Sequence, residues 1–191
     1  MTRASPDWLP EDLPTRWDDA ELSFVPLTPA LLHEDYAAVM RDIPMLRAWS
    51  GQDWPTEDFP VDDNLADLQR HDREQRERVA LTYSVLVDGI VQGCIYVHPW
   101  AAAWRGRTVD PPGDDGRGDV VVRGWLHDRP AARLIAATTA FLGAPRFAFP
   151  RLWWQTNERC PDQVAACDAL GLRAEVRHRG ADRWWILRAL P

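Results

Sequence analysis

The chain contains no lysine; each of its 22 basic side chains is an arginine. That excludes Schiff-base chemistry on a lysine amine and phosphate capture by a Walker-type lysine. GC-rich coding accounts for the bias, since the same bias favours Ala, Gly, Pro and Trp. Cysteine is scarce too: Cys94, Cys160 and Cys167 show no CxxC spacing and leave an odd one over. Neither a zinc site nor a disulfide framework is expected from them, and no metal ligand set stands out. No stretch approaches the roughly 20 uninterrupted apolar residues of a membrane span. Residues 1–20 are rich in Pro, Asp and Trp and lack the apolar core of a signal peptide. We therefore expect a soluble cytoplasmic protein with no membrane partner. The formal charge of −7 lacks the clustered cations that neutralise phosphates, so no nucleic-acid partner is expected.

What is present reads as one domain of ordinary globular composition, 46% hydrophobic and 27% charged over 191 residues. Residues 1–20 form an arm carrying Trp8 and Trp17, and residues 21–191 form the domain. A strand is expected over Leu22–Leu27, followed by a helix opened by Thr28 and Pro29, with Leu32, Tyr36, Val39 and Met40 on one face. Residues 42–60 read as irregular. A helix from about Asp62 to Glu77 carries a charge run, Arg70 to Arg78, that reads as its solvated face. Asp88-Gly89 between the β-rich runs Val79–Val87 and Ile90–Val97 is a strong hairpin signal, because both central turn positions need positive φ. Residues 100–118 form a Gly/Pro/Arg/Asp loop. A strand over Asp119–Leu126, a helix over Pro130–Leu142, a strand over Arg151–Thr156 and a helix over Pro161–Leu170 follow, the last ended by Gly171. Two strands, Arg173–His178 and Arg183–Leu190, close the chain.

Hairpins followed by a βαβ-like unit predict an α/β (α+β) fold, a mixed and mostly antiparallel sheet with helices on both faces. Trp153-Trp154 and Trp184-Trp185 put one ring on each sheet face. Both faces therefore need cover, from helices or from a second copy in a homodimer.

That order resembles the GNAT (GCN5-related N-acetyltransferase) superfamily, as do three segments. "LTYSVLVDGIVQGCIYVHP" is similar to the central hairpin, and "DVVVRGWLHDRPAARLIAATTAFL" to the strand-to-helix unit that holds the acyl-CoA pyrophosphate. "LWWQTNERCPDQVAACDALGLRAEVRH" is similar to the C-terminal signature, with Leu172 where Phe is usual. The resemblance implies acetyl-CoA as cosubstrate and a small amine or peptide amine as acceptor. It also accommodates a module that has lost catalysis and serves binding or dimerisation.

The resemblance implies a pyrophosphate cradle of backbone N–H groups at a helix N-terminus, where the dipole favours anions. The usual loop is Q/R-x-x-G-x-G/A; here it is His127-Asp128-Arg129-Pro130-Ala131-Ala132-Arg133, with no glycine. Ala131 and Ala132 are small, and Arg129 and Arg133 are suited to phosphate. Asp128 would repel pyrophosphate, and reads equally as an N-cap ahead of Pro130. The strand end, Trp125-Leu126, lies beside the expected cofactor, with Trp125 either lining the acyl pocket or packing in the core. Asn157 either binds the pantetheine arm or shapes its turn. The tyrosine that serves the family as general acid falls on Cys167, either a proton donor or a small apolar filler. Asp119 is the strand carboxylate available as base, against a solvated loop-end acid; His98 and His127 are further bases or caps. Asp53, Glu57 and Asp58 hint at a cationic acceptor, against ordinary solvated loop acids.

Overall fold

A computed structural model describes residues 8–103, 118–180 and 182–191. Its strands are β1 (Trp17–Asp18), β2 (Leu22–Pro26), β3 (Leu81–Val87), β4 (Ile90–Pro99), β5 (Val120–Leu126), β6 (Leu152–Asn157), β7 (Ala174–Arg179) and β8 (Trp184–Ala189). Its helices are α1 (Leu32–Arg41), α2 (Ile43–Ser50), α3 (Val61–Arg76), the short α4 (Trp100–Ala103), α5 (Ala131–Leu142) and α6 (Pro161–Ala169). The strands form one sheet in the order β1-β2-β3-β4-β5-β6-β8-β7, antiparallel throughout except for the parallel pair β5–β6. Most of the expected loop at 100–118 lies outside the described residues.

The hairpin forms as its sequence dictates. Asp88 and Gly89 take φ of 51° and 81°, the left-handed pair that a two-residue turn between twisted strands requires. β3 is buried along its whole length, as a central strand covered on both faces must be. The pairing of β3 with β4 jumps from Val85↔Gly93 to Leu86↔Val91, so Gln92 is the extra residue of a bulge.

Helices cover both faces. On one side α5 and α6 close a core of Phe24, Tyr83, Ile95, Val122, Phe141 and Trp154. On the other, α1, α2 and α3 close a core of Val39, Leu46, Trp49, Leu68, Cys94 and Trp125. The alternation expected for Trp153-Trp154 holds, with Trp154 in the first core and Trp153 in a small third cluster against Trp100. Trp184, at 41% exposure, is the uncovered ring of its pair.

One segment differs from its sequence reading. Residues 43–50, read as irregular, are helix α2. Asp42 accepts a hydrogen bond from the Met45 amide, Pro44 sits in the first turn where its missing N–H costs nothing, and Gly51 closes the end at φ 77°. The arm is docked from Trp8 onward. Trp8 donates to the Arg78 carbonyl at 2.8 Å and stacks on Phe149, and Trp17 pairs with Phe24 in β1–β2 while packing on Phe141. Apolar burial of two tryptophans offsets the entropy of ordering such a segment.

Candidate functional site

The parallel pair β5–β6 is short. It joins Val120, Val121 and Val122 to Leu152, Trp153 and Trp154, and then the strands part. Beyond the fork, Gln155–Asn157 pair only with β8, while Arg123–Leu126 stay with β4. Continuing the register would set Gly124 opposite Thr156. Instead, Gln163 of α6 reaches into the opening, and its Nε2 donates to the Gly124 carbonyl at 2.8 Å. Gln163 Oε1 and Thr156 Oγ1 are both buried without a hydrogen-bond partner. Orphaned polar atoms of this kind are rare in folded interiors and mark a place that another polar group completes. Gly124 itself has no room for a side chain, since a Cβ would lie 2.9 Å from the Cys94 carbonyl oxygen and 3.2 Å from Leu134.

Just past β5, the chain turns into α5. Asp128 takes φ 57°, and its carboxylate pairs with Arg41 of α1 at 2.6 Å. It is therefore not the N-cap that its sequence position implied; Pro130 occupies that place with no side-chain cap. The amides of Ala131 and Ala132 open the helix with no preceding turn to accept them. Arg133 is paired with Asp19 and lies 3.5 Å from Glu21, and Arg129 Nε is 3.9 Å from Glu21. The acids come from the turn between β1 and β2, so the two arginines flank the helix start in an internal ion-pair network.

On the opposite sheet face, α2, α3, β4 and β5 enclose a cavity of about 290 Å³. It is lined by Trp49, Ser50, Gln52, Trp54, Asp67, Arg70, His71, Tyr96, His98 and Arg123. Arg70 pairs with Asp67 and with Glu74. His71 lies between the same two acids, with Nε2 3.5 Å from Asp67 and Nδ1 3.3 Å from Glu74. Burial opposes the charge on His71, yet hydrogen bonds to Asp67 and Glu74 carry its pKa above the ordinary histidine value. Burial also opposes ionisation of Asp67, but hydrogen bonds from His71 and Arg70 hold it below the usual carboxylate range. His98 behaves oppositely: burial, helped by the neighbouring Arg123 charge, pushes its pKa down to about 4, so it is neutral at physiological pH. The Arg123 guanidinium lies 3.9 Å over the Trp49 ring and 5.7 Å from that of Trp185.

The sequence-derived candidates fall in different places. Trp125, Leu126, Arg129, Ala131, Ala132 and Arg133 follow one another from the fork to the helix start, with the Trp125 ring buried in the α1–α3 core. Asn157 is buried beside the fork, but its side chain faces α2, donating to the Ala48 and Trp49 carbonyls at 3.1 and 3.2 Å. With Arg183, which donates to Ala48 at 2.7 Å, it caps the carbonyl end of α2 and so fixes Trp49 over Arg123. Asp119 stands at the far end of β5, accepts from Trp153 Nε1 at 2.9 Å and does not line the cavity. His127 Nε2 donates to the Ala38 carbonyl at 2.9 Å, which ties the loop to α1. Cys167 lies in the α5–α6 core, where burial pushes its thiol up to about 11. We expect Cys167→Ala to retain turnover and to cost about 1–2 kcal/mol of stability, as trimming a core side chain does. A drop of 100-fold in kcat at unchanged acetyl-CoA affinity would instead make the thiol the proton donor.

Asp67, His71, Tyr96, Arg123 and Gln163 were not legible as site residues. A signal existed for two of them: Asp67, Arg70, His71 and Glu74 recur at helical i, i+3, i+4, i+7 spacing, one face of α3. The charge run they begin reads as solvated, yet His71 is 5% exposed. Among the described residues, no group of three or more His, Cys, Asp or Glu is placed to hold a metal ion, and no helix is long and apolar enough to cross a membrane.

No family sequence model matches the chain, and no curated protein matches it by sequence. Its shape has many counterparts among solved structures. The ribosomal-protein-S5-alanine acetyltransferase of Vibrio fischeri superposes with a TM-score of 0.67 at 13% identity, over 94% of this chain and 96% of that one. The microcin self-immunity acetyltransferase MccE, solved with acetyl-CoA and AMP, gives 0.69 at 10% identity, over 90% and 93%. A GnaT-family acetyltransferase from Bordetella pertussis gives 0.63 at 13% identity, over 92% and 99%. The chain thus has the fold of the GNAT acetyltransferases, as its sequence resemblance led us to expect.

Proposed function

We propose that the chain is an acetyl-CoA-dependent N-acetyltransferase. The observation that carries the reading is the alignment of three features along β5: an uncapped helix start, a fork with orphaned buried polar atoms, and a cavity on the opposite face. Acetyl-CoA supplies an activated acyl group as a thioester. The Ala131 and Ala132 amides and the dipole of α5 suit its pyrophosphate, and Arg129 and Arg133 add charge-assisted donors. The Gly124 carbonyl and the amide of Gln163 suit the amides of the pantetheine arm, with Gln163 yielding its bond to Gly124 as the arm enters. The acceptor amine takes the cavity. Asp67, which stays ionised, attracts it as an ammonium, and its proton leaves to water, since neutral His98 with a pKa near 4 is too weak a base.

Calorimetry with acetyl-CoA tests the reading: micromolar affinity is expected, and no heat at millimolar ligand overturns it. The second reading, a module without catalysis, draws on the internal ion pairs of Arg129 and Arg133, and a silent titration would favour it.

The acids of the β1–β2 turn make a separate prediction. If Arg133 exchanges Asp19 for phosphate, Asp19→Asn with Glu21→Gln should tighten acetyl-CoA binding several-fold while lowering stability. Arg129→Ala with Arg133→Ala should weaken it by about 1.5–3 kcal/mol per lost charged hydrogen bond. Unchanged affinity in both variants would leave the helix amides as the sole phosphate contacts.

A further inference from the structure

The fork between β5 and β6 is filled by a side chain of a kind that interiors rarely hold. Gln163 and Cys167 are the two buried residues of α6, one turn apart on its inward row. Glutamine belongs mostly to surfaces, and a buried one needs partners for both ends of its carboxamide. Gln163 is 8% exposed and has a partner at one end only, where Nε2 donates to the Gly124 carbonyl at 2.8 Å. Among the described residues, neither its Oε1 nor the Oγ1 of Thr156, on the other arm of the fork, has a hydrogen-bond partner. A glutamine kept for stability alone would not strand its acceptor beside a second orphaned group.

The two ends of the carboxamide work against each other. A hydrogen bond within a protein nets on the order of three- to tenfold in population, and a buried acceptor left unpaired offsets part of that gain. The closed arrangement is therefore held weakly. Gln163 also stands in the first turn of α6, next to the exposed Pro161 and Asp162, so solvent lies within reach of a change of rotamer. Gly124 offers the fork its carbonyl and no side chain, since a Cβ there would lie 2.9 Å from both the Cys94 oxygen and Ile95. On the reading that acetyl-CoA binds along β5, an amide N–H of the pantetheine arm docks on that carbonyl. Gln163 Nε2 is itself an amide N–H on the same oxygen, so in the free protein the side chain stands where the arm would go.

We propose that Gln163 is a latch on the acyl-CoA channel: its hydrogen bond to Gly124 closes the fork, which admits a pantetheine arm only when that bond opens. A closed state lowers the apparent association rate in proportion to the share of molecules that are open. Stopped-flow mixing with acetyl-CoA, followed by tryptophan emission, reads that rate. Gln163→Ala should raise it by about threefold or more, the worth of the lost bond. Gln163→Met, as long but without an N–H, should show a similar gain, because the bond and not the bulk is the latch. Adenosine 3′,5′-bisphosphate carries phosphates without the arm, so its association should be unchanged in both variants. Association is the decisive quantity, since a contact that Gln163 made only in the complex would act on dissociation. A thermal melt establishes that each variant is folded. Association with acetyl-CoA that is unchanged or slower, a gain in Gln163→Ala without one in Gln163→Met, or an equal gain with the bisphosphate overturns the latch and leaves acetyl-CoA binding in place. Absence of acetyl-CoA binding by the unmodified protein and by both variants overturns the cofactor reading, and the latch with it. Binding by the variants alone would support both.

Discussion

Ala132→Glu is expected to weaken acetyl-CoA binding by about 100-fold or more while leaving the melting temperature unchanged or slightly raised. The two effects separate because a helix start treats the new carboxylate and the ligand differently. In the free protein, an acid in the first turn of α5 meets the positive end of the helix dipole, worth about 0.3–1 kcal/mol in favour of folding. Ala132 is partly exposed, so the longer side chain has room. With ligand, the same carboxylate would lie against the pyrophosphate, and like charges brought together in a site cost several kcal/mol. It would also give Arg129 and Arg133 an acid in competition with phosphate. Ala132→Gln, of nearly the same size, should lose far less, which separates charge from bulk. Calorimetry and a melting curve on the two variants decide the matter. Equal loss in both would reduce the effect to steric blockage, and no loss in either would place the phosphates elsewhere.

Asp35→Asn should stabilise the protein by roughly 3 kcal/mol at pH 8 and by almost nothing at about pH 3. Asp35 sits on α1 at 4% exposure, facing Asn64, Asp67 and His71 of α3. Burial is the main cause that raises its pKa from 3.8 to about 6; the Asn64 hydrogen bond, 2.9 Å long, and the His71 charge oppose the rise, and the Asp67 charge adds to it. The sign follows from proton binding. At about pH 3 the acid is protonated both folded and unfolded, and costs almost nothing. Between about pH 4 and 6 the folded protein holds a proton that the unfolded chain has released, so stability falls as pH rises through this window. Above it the full penalty applies, two pKa units at about 1.36 kcal/mol each. An asparagine keeps an acceptor for Asn64 and has no charge to bury. Denaturant titrations at the two pH values give the answer; an equal change at both would mean that Asp35 is ionised without penalty. The cavity depends on this contact, because the α1–α3 seam holds Asp67 and His71 toward it.

Most of the architecture was legible in the sequence because it rests on local chemistry. Asp88-Gly89 sets the hairpin, alternation places Trp153 and Trp154 on opposite faces, and Gly171 ends α6 at φ 72°. The stretch from Trp125 to Arg133 was recognisable as strand, turn and helix start for the same reason: the elements are short, consecutive and marked by Pro130. Helix α2 was missed although its signals were present. Asp42 and Pro44 mark its start and Gly51 its end, but two further prolines and two tryptophans in residues 42–60 obscured them.

The site itself was largely a tertiary decision. Asp128 has the sequence position of an N-cap, and only the approach of Arg41, 87 residues away, turns its carboxylate toward α1. Cys167 and Asp119 hold positions that the resemblance gives to catalytic groups, but the first is enclosed by the α5–α6 core and the second is engaged by Trp153, contacts that a sequence resemblance does not encode. Gln163 reaches Gly124 because β5 and β6 separate after three paired residues, a divergence set by the packing of whole helices. Arg123 reads as an ordinary strand residue until α2 and β8 bring the Trp49 and Trp185 rings to 3.9 and 5.7 Å from its guanidinium. Propensity and periodicity act over a few residues, and so the sequence by itself determined the elements and their order. Charge pairing, burial and stacking act between residues far apart in the chain, 114 positions for Arg133 and Asp19, and these were decided only when the elements packed.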